Sequence, residues 1–297
     1  MSTDAQVIDG DDARVIDVAF TRYDGPRAGR LQALWSLARW SALRALGARR
    51  SWKAKVIPIA LALLAFAPAL VILGARALFG TSSVTANLVK GLPYGNYAAT
   101  VSIIILVYSV IITPELLCPD RRDRTLSLYF STAISPGDYL AGKVLAAVLP
   151  LLLITLAPPL TLYAGNMVFA VHPLGYLFGH DRDLPRIVGS ALIVTTFYAL
   201  VGLAISSLTS RRAFAVGGYL AFLVVPTLIG GVLSHALNMR FLRLLALAPA
   251  PIRAGQGLFP NYSDPGNIGP WVWGATSVEV AVVAIVVLVV RYRGEQV

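Results

Sequence analysis

Charged residues are scarce in this chain of 297 residues: 13% are Asp, Glu, Lys or Arg, whereas roughly 25% is usual in soluble domains. Hydrophobic residues make up 57% of the chain, and they are grouped in long blocks that a water-facing surface cannot accommodate. The mean hydropathy is +0.70. An ordinary soluble protein is therefore excluded, and the chain is predicted to be a membrane protein.

The residues that nucleotide and metal sites need are missing or scattered. Cys118 is the only cysteine, so no disulfide can form within the chain. A phosphate-binding loop needs glycines followed by Lys and by Ser or Thr, but the nearest glycine pair, Gly74 and Gly80, has no lysine after it. The one group of metal-ligand residue types, within 172–183, shares a loop without helical register. The chain is predicted not to be an enzyme and to bind no metal, nucleotide or other cofactor itself.

The formal net charge of +10 could indicate nucleic-acid binding, because basic patches attract phosphate. The basic residues, however, flank the apolar blocks, where they would lie against the anionic lipids of the cytoplasmic leaflet. We therefore predict that the partner of this charge is a lipid membrane and that the chain binds no nucleic acid.

Six apolar blocks are long enough to cross a bilayer as helices, because a helix needs about 20 residues to cross a hydrocarbon core of about 30 Å. Their hydropathy is even and does not alternate from residue to residue, which excludes a β-barrel. We predict an all-α polytopic membrane bundle over residues 56–293, with spans at 56–79, 98–117, 139–164, 186–208, 214–234 and 271–290.

The N-terminal region is predicted to consist of a flexible cytoplasmic tail over residues 1–29 and an amphipathic interfacial helix over residues 30–55. In this helix an apolar stripe recurs at steps of three and four residues, although Leu37, Trp40 and Leu43 fall outside it. The stripe consists of Leu31, Leu34, Trp35, Ala38, Ala42 and Ala45, and the arginines on other faces include Arg30, Arg39, Arg44 and Arg50. We expect Trp35, Arg39 and Arg44 to hold the helix at the headgroups.

The distribution of Lys and Arg predicts the orientation. If the N-terminus is inside, most of the 25 Lys and Arg residues are cytoplasmic, as the positive-inside rule requires. The chain is thus predicted to be a multi-pass protein of the cell membrane with both termini in the cytoplasm. Of the outer segments, 235–270 begins with an apolar run too short to span and is predicted to be re-entrant, although Arg240 and Arg243 within it fit the rule poorly.

Glu279 is the one carboxylate that we predict to lie well inside a span, about two turns into the sixth. Such a group usually faces a cavity or a partner, because placing it in lipid is costly. It could mark an intramembrane polar site, or it could be a packing residue whose carboxyl group reaches towards the headgroups. A transporter driven by protons or sodium usually carries several such acids, so this mechanism is the weaker one here.

Residues 113–143, from the end of the second span to the start of the third, read TPELLCPDRRDRTLSLYFSTAISPGDYLAGK. An acidic residue closes the second span, a basic cluster precedes Thr-Leu, and a Ser-Pro turn leads to Tyr-x-x-Gly-Lys. This pattern resembles the cytoplasmic segment of type-2 ATP-binding-cassette exporter permeases. The residues that carry it are Glu115, Arg121, Arg122, Arg124, Thr125, Leu126, Ser135, Tyr139, Gly142 and Lys143. The basic N-terminal helix, the six spans and the re-entrant segment extend the resemblance to the whole chain.

In that family the permeases pair as dimers and dock soluble ATPase subunits, which bind ATP and Mg²⁺, through this coupling loop and the N-terminal helix. The resemblance implies an exporter permease subunit with a second copy and an ATP-binding-cassette ATPase as partners, and with a coupling loop over residues 118–138. The residues it assigns to ATPase coupling are Glu115, Arg121, Arg122, Arg124, Thr125, Leu126, Tyr129, Tyr139 and Lys143.

The residue types of this loop suit docking as well. The charged run 120–124 can steer a partner and set its register, and Leu126, Tyr129 and Phe130 are apolar anchors of the kind that dominate interfaces. The alternative interpretation of the loop is a merely basic stop-transfer segment.

Two other functions stay open on the sequence alone. One is a membrane anchor or sensor that partners an ATPase without transport, and the other is a stand-alone secondary transporter or membrane enzyme. If the chain is an exporter subunit, its mostly uncharged bundle fits an apolar or amphiphilic substrate.

Overall fold

The computed structural model describes residues 29–47, 52–80, 82–83, 87–88, 91–123, 135–170, 172–260, 262, 264 and 268–293. The predicted tail, apart from Gly29, lies outside these residues, and so does the part of the predicted coupling loop that holds Arg124, Thr125, Leu126 and Tyr129.

The described chain is helical, and none of its residues lies in a strand. Its α-helices, in order, are α1 (Arg30–Ala45), α2 (Trp52–Phe79), α3 (Tyr97–Thr100), α4 (Ser102–Arg122), α5 (Pro136–Thr155), α6 (Ala157–Val168), α7 (Pro173–Gly179), α8 (Asp183–Ser207), α9 (Arg212–Ala236), α10 (Ala250–Gln256) and α11 (Pro270–Arg293). The described residues also include two 3₁₀ helices, Tyr94–Asn96 and Arg240–Leu245.

Six helical segments are long and apolar enough to cross a membrane, which confirms the predicted all-α, multi-pass bundle. They are Lys55–Phe79, Ser102–Arg122, Pro136–Val168, Asp183–Ser207, Arg212–Ala236 and Pro270–Tyr292. The second span is longer than predicted at its C-terminus, because α4 continues to Arg122 where the sequence indicated an end at 117. The extension brings Asp120 into the helix and buries it.

The third span is built from two helices, α5 and α6, which meet at Leu156. Pro158 and Pro159 follow directly, and neither ring nitrogen can donate a hydrogen bond to the preceding turn. The α-helical ladder therefore breaks at this point, and α6 continues the span while packing against α2.

Consecutive spans run in alternating directions, so the bundle has two ends. At one of them, the α1 end, the C-termini of α4, α8 and α11 lie with the N-termini of α5 and α9. The Tyr139 ring of α5, for example, lies 5.6 Å from the Tyr292 ring of α11. The opposite end, the far end, holds α3, α7 and α10.

The helix α8 forms the centre of the bundle. Of its most apolar stretch 72% is buried, against 17% for α9, and it packs against α4, α5, α10 and α11. The α9 helix is held at its inner face by the Tyr219 hydroxyl, which donates to the Tyr198 carbonyl oxygen over 2.7 Å. Little of α2, α9 and α11 is buried in the single chain (22%, 17% and 22% of their most apolar stretches), so lipid or another protein can cover their outer surfaces.

The N-terminal helix packs on the bundle through only the second half of the predicted stripe: Ala38, Ala42 and Ala45 are buried, whereas the first half is not. Its buried residues are Leu37, Ala38, Ser41, Ala42 and Ala45, which face α5 and α4. Leu31 and Trp35 of the stripe are exposed, whereas Leu37, which fell outside it, is buried. The helix ends at Ala45 and not at 55, because Gly47 adopts a left-handed conformation (φ 80°) and the chain turns there before α2 begins at Trp52.

The predicted re-entrant segment contains α10, which packs against α8 and α11 at the far end. Its residues Ala250, Ile252 and Ala254 are buried. Arg253 is accommodated there because its guanidinium group lies 4.4 Å from the centre of the Trp273 ring, a favourable cation–π distance.

Gly202 allows the close approach of α8 to α4, and its replacement by alanine is expected to destabilise the bundle. A Cβ atom at this position would lie 2.5 Å from the Thr113 hydroxyl oxygen, and overpacking of this kind costs about 1–3 kcal/mol. Gly74→Ala in α2 is the matched control, because no atom lies within 4 Å of its added Cβ. Thermal unfolding of the two purified variants in detergent tests this expectation, which equal melting temperatures would contradict.

Candidate functional site: the Asp120 cluster at the α1 end

A buried ion pair joins the second and third spans at the α1 end. Lys143 Nζ lies 2.6 Å from Asp120 Oδ2, and the two side chains are 0% and 2% exposed. Tyr139 and Lys143 are four residues apart on α5 and so share one face of the helix. The Tyr139 hydroxyl donates to the same Asp120 oxygen over 2.9 Å, so a single carboxylate organises the start of α5.

The N-terminal helix α1 also contacts this ion pair, with one side chain bound to each of its two charged groups. Arg44 donates to Asp120 Oδ1 over 2.7 Å, and Lys143 Nζ donates to the Ser41 hydroxyl over 3.1 Å. Ser41 and Arg44 are three residues apart and face the bundle together. We call these five residues, Ser41, Arg44, Asp120, Tyr139 and Lys143, the Asp120 cluster.

Burying these charges is favourable only because the cluster satisfies them. Moving a carboxylate or an ammonium group out of water costs several kcal/mol, and Asp120 recovers this through donors from three side chains on α1 and α5. Lys143 has Ser41 as a second polar partner, and its Nζ lies 5.3 Å from the centre of the Tyr139 ring. The cluster therefore fixes the positions of α1, α4 and α5 relative to one another.

A second contact ties α1 to the start of α5. Arg30 forms a bidentate pair with Asp138, with Nε 2.9 Å from Oδ2 and NH2 2.8 Å from Oδ1, and this pairing raises the pKa of the Arg30 guanidinium. Ser135 caps α5 by accepting a hydrogen bond from the Asp138 backbone N–H over 3.2 Å. The first turn of α5 is thus held by both a cap and α1.

Glu115 and Arg212 form an ion pair between α4 and the start of α9. Glu115 is 3% exposed while Arg212 is 48% exposed, so the carboxylate lies inside and the guanidinium group partly outside. Cys118, one turn along α4, is buried, and its thiol lies 3.8 Å from the carbonyl oxygen of Ser206 at the end of α8. It packs there as a small, nearly apolar side chain.

The residues that the family resemblance assigned to ATPase coupling, as far as the structure describes them, separate into two groups. Tyr139 and Lys143 are 0% exposed, and Glu115 is nearly so; these three side chains hold helices together and present no docking surface. Arg121 is half-buried and Arg122 is exposed at the end of α4. In the N-terminal helix Trp35 and Arg39 are exposed, whereas Arg44 reaches inwards to Asp120.

Glu279 lies on the outer surface of α11 and is exposed in the single chain. The expectation that it alone among the carboxylates is buried within the bundle is wrong, because Glu115 and Asp120 are buried in α4. The burial of these two residues was not predicted, because each stands beside a proline and near a predicted helix end. The basic residues that compensate their charges are distant in the chain.

A polar chain of hydrogen bonds lines a cleft of about 460 Å³ at the far end. Arg76 donates to Asn166 Oδ1 over 2.7 Å, the Asn166 amide donates to the Tyr94 hydroxyl over 2.7 Å, and the Tyr94 and Tyr176 hydroxyls are 2.8 Å apart. Burial raises the pKa of Tyr94 and raises that of Tyr262, on the same wall, to about 12. Both phenols therefore keep their protons at neutral pH and can donate hydrogen bonds.

His180 and Asp183 of the outer segment 165–185 make contacts within the chain. The His180 ring stacks on the Tyr176 ring at 4.1 Å, and Asp183 pairs with Arg186 at 3.3 Å. Within the described ranges, no three His, Cys, Asp or Glu side chains lie close enough to hold a metal ion.

Comparison with known proteins gives no family for the chain: no family model and no curated protein matches it. Its function is therefore inferred from the geometry of the α1 end, together with the pattern of residues 113–143.

Asp120→Asn is expected to lower the free energy of unfolding by about 3–5 kcal/mol, because it leaves Lys143 and Arg44 without their buried anion. Asp123→Asn, on the exposed end of the same helix, is the matched control and should change stability by less than about 0.5 kcal/mol. Chemical unfolding in mild detergent measures both values.

The double variant Asp120→Asn with Lys143→Met tests whether the unpaired buried charge causes the loss of stability in Asp120→Asn. Removing both charges should recover a large part of the loss, because no uncompensated ammonium group then stays buried. If Asp120→Asn and Asp123→Asn unfold alike, the cluster does not hold the α1 end together.

Proposed function

We propose that the chain is the transmembrane permease subunit of a type-2 ATP-binding-cassette exporter, moving a substrate with energy from a separate ATPase subunit. The observation that carries this proposal is the anchoring of both ends of the coupling loop. Asp120 lies near the start of the loop (118–138), Asp138 is its last residue and Lys143 follows five residues later on α5, and α1 binds residues at both ends.

The geometry of α1 suits the transmission of force from such a loop. Arg30 and Arg44, which bind the two sides, are 14 residues apart, or about 21 Å along a helix. Because ion pairs hold α1 near both of its ends, α1, the end of α4 and the start of α5 form a single stiff unit. A partner that pulls on the loop would then move two spans together instead of bending one of them.

Two basic residues at the α1 end, the half-buried Arg121 and the exposed Arg122, are proposed to meet this partner. Arg121 and Arg122 extend from the last turn of α4 beside the loop, where guanidinium groups can pair with carboxylates of an ATPase subunit. Leu31, Trp35 and Trp40 are exposed on α1 and suit the lipid headgroup region. The ATPase, and not this chain, would bind ATP and Mg²⁺.

The substrate path is proposed to lie between two copies of the chain in the cell membrane. The centre of the single bundle is filled by α8, which is largely buried, whereas α9 exposes apolar residues such as Phe222, Val225 and Ile229 along its length. A second copy could cover this face, and an apolar or amphiphilic substrate would suit its lining.

The proposal requires the α1 end to face the cytoplasm, and cysteine labelling tests this. In a Cys118→Ser background, Asp123→Cys at the α1 end should react with a membrane-impermeant maleimide only after the cells are opened, whereas Asp181→Cys at the far end should react in intact cells. Both positions are exposed. The reverse pattern would refute the proposed function.

Arg121→Glu combined with Arg122→Glu is expected to abolish co-purification of a soluble ATPase subunit while membrane insertion is kept, because the substitutions reverse the charge at the docking surface. Arg291→Glu, an exposed arginine at the same end on α11, is the control and should leave the complex intact. The measurements are the yield of the bound protein and its ATP hydrolysis.

Transport of an apolar or amphiphilic compound into vesicles that contain the complex distinguishes the exporter from the anchor or sensor and from the secondary transporter. An ATPase complex without ATP-dependent flux would favour the anchor or sensor, and flux without any ATPase would favour a secondary transporter. Unchanged complex yield in the double variant would contradict the assigned docking residues.

A further inference from the structure

A basic cleft opens at the α1 end, between the last turns of α4 and the turn that joins α8 to α9. It has a volume of about 470 Å³ and is lined by two prolines and by Glu115, Cys118, Arg122, Ser210, Arg211 and Arg212. The cleft is separate from the Asp120 cluster and shares no residue with it. Because it lies where three spans begin or end, it is level with the lipid headgroups of a surrounding membrane.

The cleft has more positively than negatively charged side chains. Glu115 pairs with Arg212, but among the described residues no carboxylate lies within ion-pair distance of Arg122 or Arg211. The Ser210 hydroxyl adds a further polar group to the lining, and Arg211 precedes the first turn of α9, whose free N–H groups carry partial positive charge. The surplus of positive donors favours a ligand with a negatively charged oxygen group.

Exposed apolar side chains flank the same arginines. Leu208 and Phe214, on either side of the α8–α9 turn, are 63% and 66% exposed. The Arg211 guanidinium carbon lies 5.9 Å from the centre of the Phe214 ring, so charge and apolar surface are adjacent. A soluble anion would gain nothing from Leu208 and Phe214, whereas a lipid would cover them with its acyl chains.

We propose that this cleft binds the phosphate headgroup of an anionic phospholipid, with the phosphate between Arg122 and Arg211 and an acyl chain along Phe214. Basic pockets between membrane helices bind anionic headgroups through the same combination of charge and position. The bound phosphate would bridge α4 and α9, the helices that Glu115 and Arg212 already connect. This inference does not require that the chain be an exporter.

Lipid binding to the purified chain, without any ATPase, tests the proposal. Phosphatidylglycerol added to the chain in neutral detergent should appear as a retained adduct in native mass spectrometry and should raise the melting temperature, while phosphatidylcholine should do neither. Arg211→Gln should weaken phosphatidylglycerol binding at least fivefold. Arg291→Gln, outside the cleft at the same end, should leave it unchanged.

Two further ligands test whether the bound phosphate belongs to a phospholipid or to a soluble anion. Inorganic phosphate and glycerophosphoglycerol, which lack acyl chains, should compete only weakly with phosphatidylglycerol. Equal binding of these soluble anions would overturn the lipid assignment, and so would phosphatidylglycerol binding that Arg211→Gln does not change. Loss of ATPase co-purification in Arg211→Gln with lipid binding intact would overturn the proposal as well, because it would show that Arg211 binds a protein partner and not the lipid.

Discussion

The structure of the α1 end depends on the ion pair between Asp120 and Lys143, whose charged atoms lie 2.6 Å apart and are screened from solvent. Neither charge could be buried alone, because each would lose several kcal/mol of hydration. Ser41, Arg44 and Tyr139 complete the coordination of this pair, and they come from two different helices. The positions of α1, α4 and α5 are therefore coupled: a shift of any one of them breaks a bond to a buried charge.

This coupling divides the bundle into a stiff part and a looser one. The stiff part contains α1, α4, α5 and the buried central helix α8, and Tyr139 connects it to α11 through the Tyr292 ring. The α9 helix is far less buried. Its described polar contacts with other parts of the chain include the Glu115–Arg212 pair, the Tyr219 hydroxyl and the Thr227 hydroxyl, which accepts a hydrogen bond from the Ala248 backbone N–H. Of the six spans α9 is the least buried, so a movement of α9 relative to the stiff part would disturb little of its own packing.

Hydropathy predicted the number and approximate positions of the six spans, because the cost of exposing polar groups to lipid leaves the sequence little freedom there. It could not predict the end of α4, because a hydropathy pattern treats every charge as solvated, whereas Asp120 is neutralised by residues far away in the chain. Periodicity predicted that Ala38, Ala42 and Ala45 share one face of α1, and this face packs on the bundle. It could not show that Leu37 packs there and Leu31 does not, since the two residues are equally apolar. The role of Ser41 carries no sequence signal, because it arises only when α1 meets Lys143.

Glu279 differs from Asp120 because its carboxylate lies on the outer surface of the bundle and has no described donor within the chain. It stands in the sixth span, about 13 Å along the helix from Pro270 at 1.5 Å per residue, and its side chain is exposed on the outer surface of α11. Translocation scales assign a charged group near the centre of a membrane helix a cost of about 2.5–3.5 kcal/mol. Asp120 avoids such a cost through donors within its own chain, but the described residues offer none to Glu279. A hydrogen-bond donor from a second copy or from another membrane helix would remove this cost, so this face of α11 is less suited to lipid than the apolar exposed faces of α2 and α9.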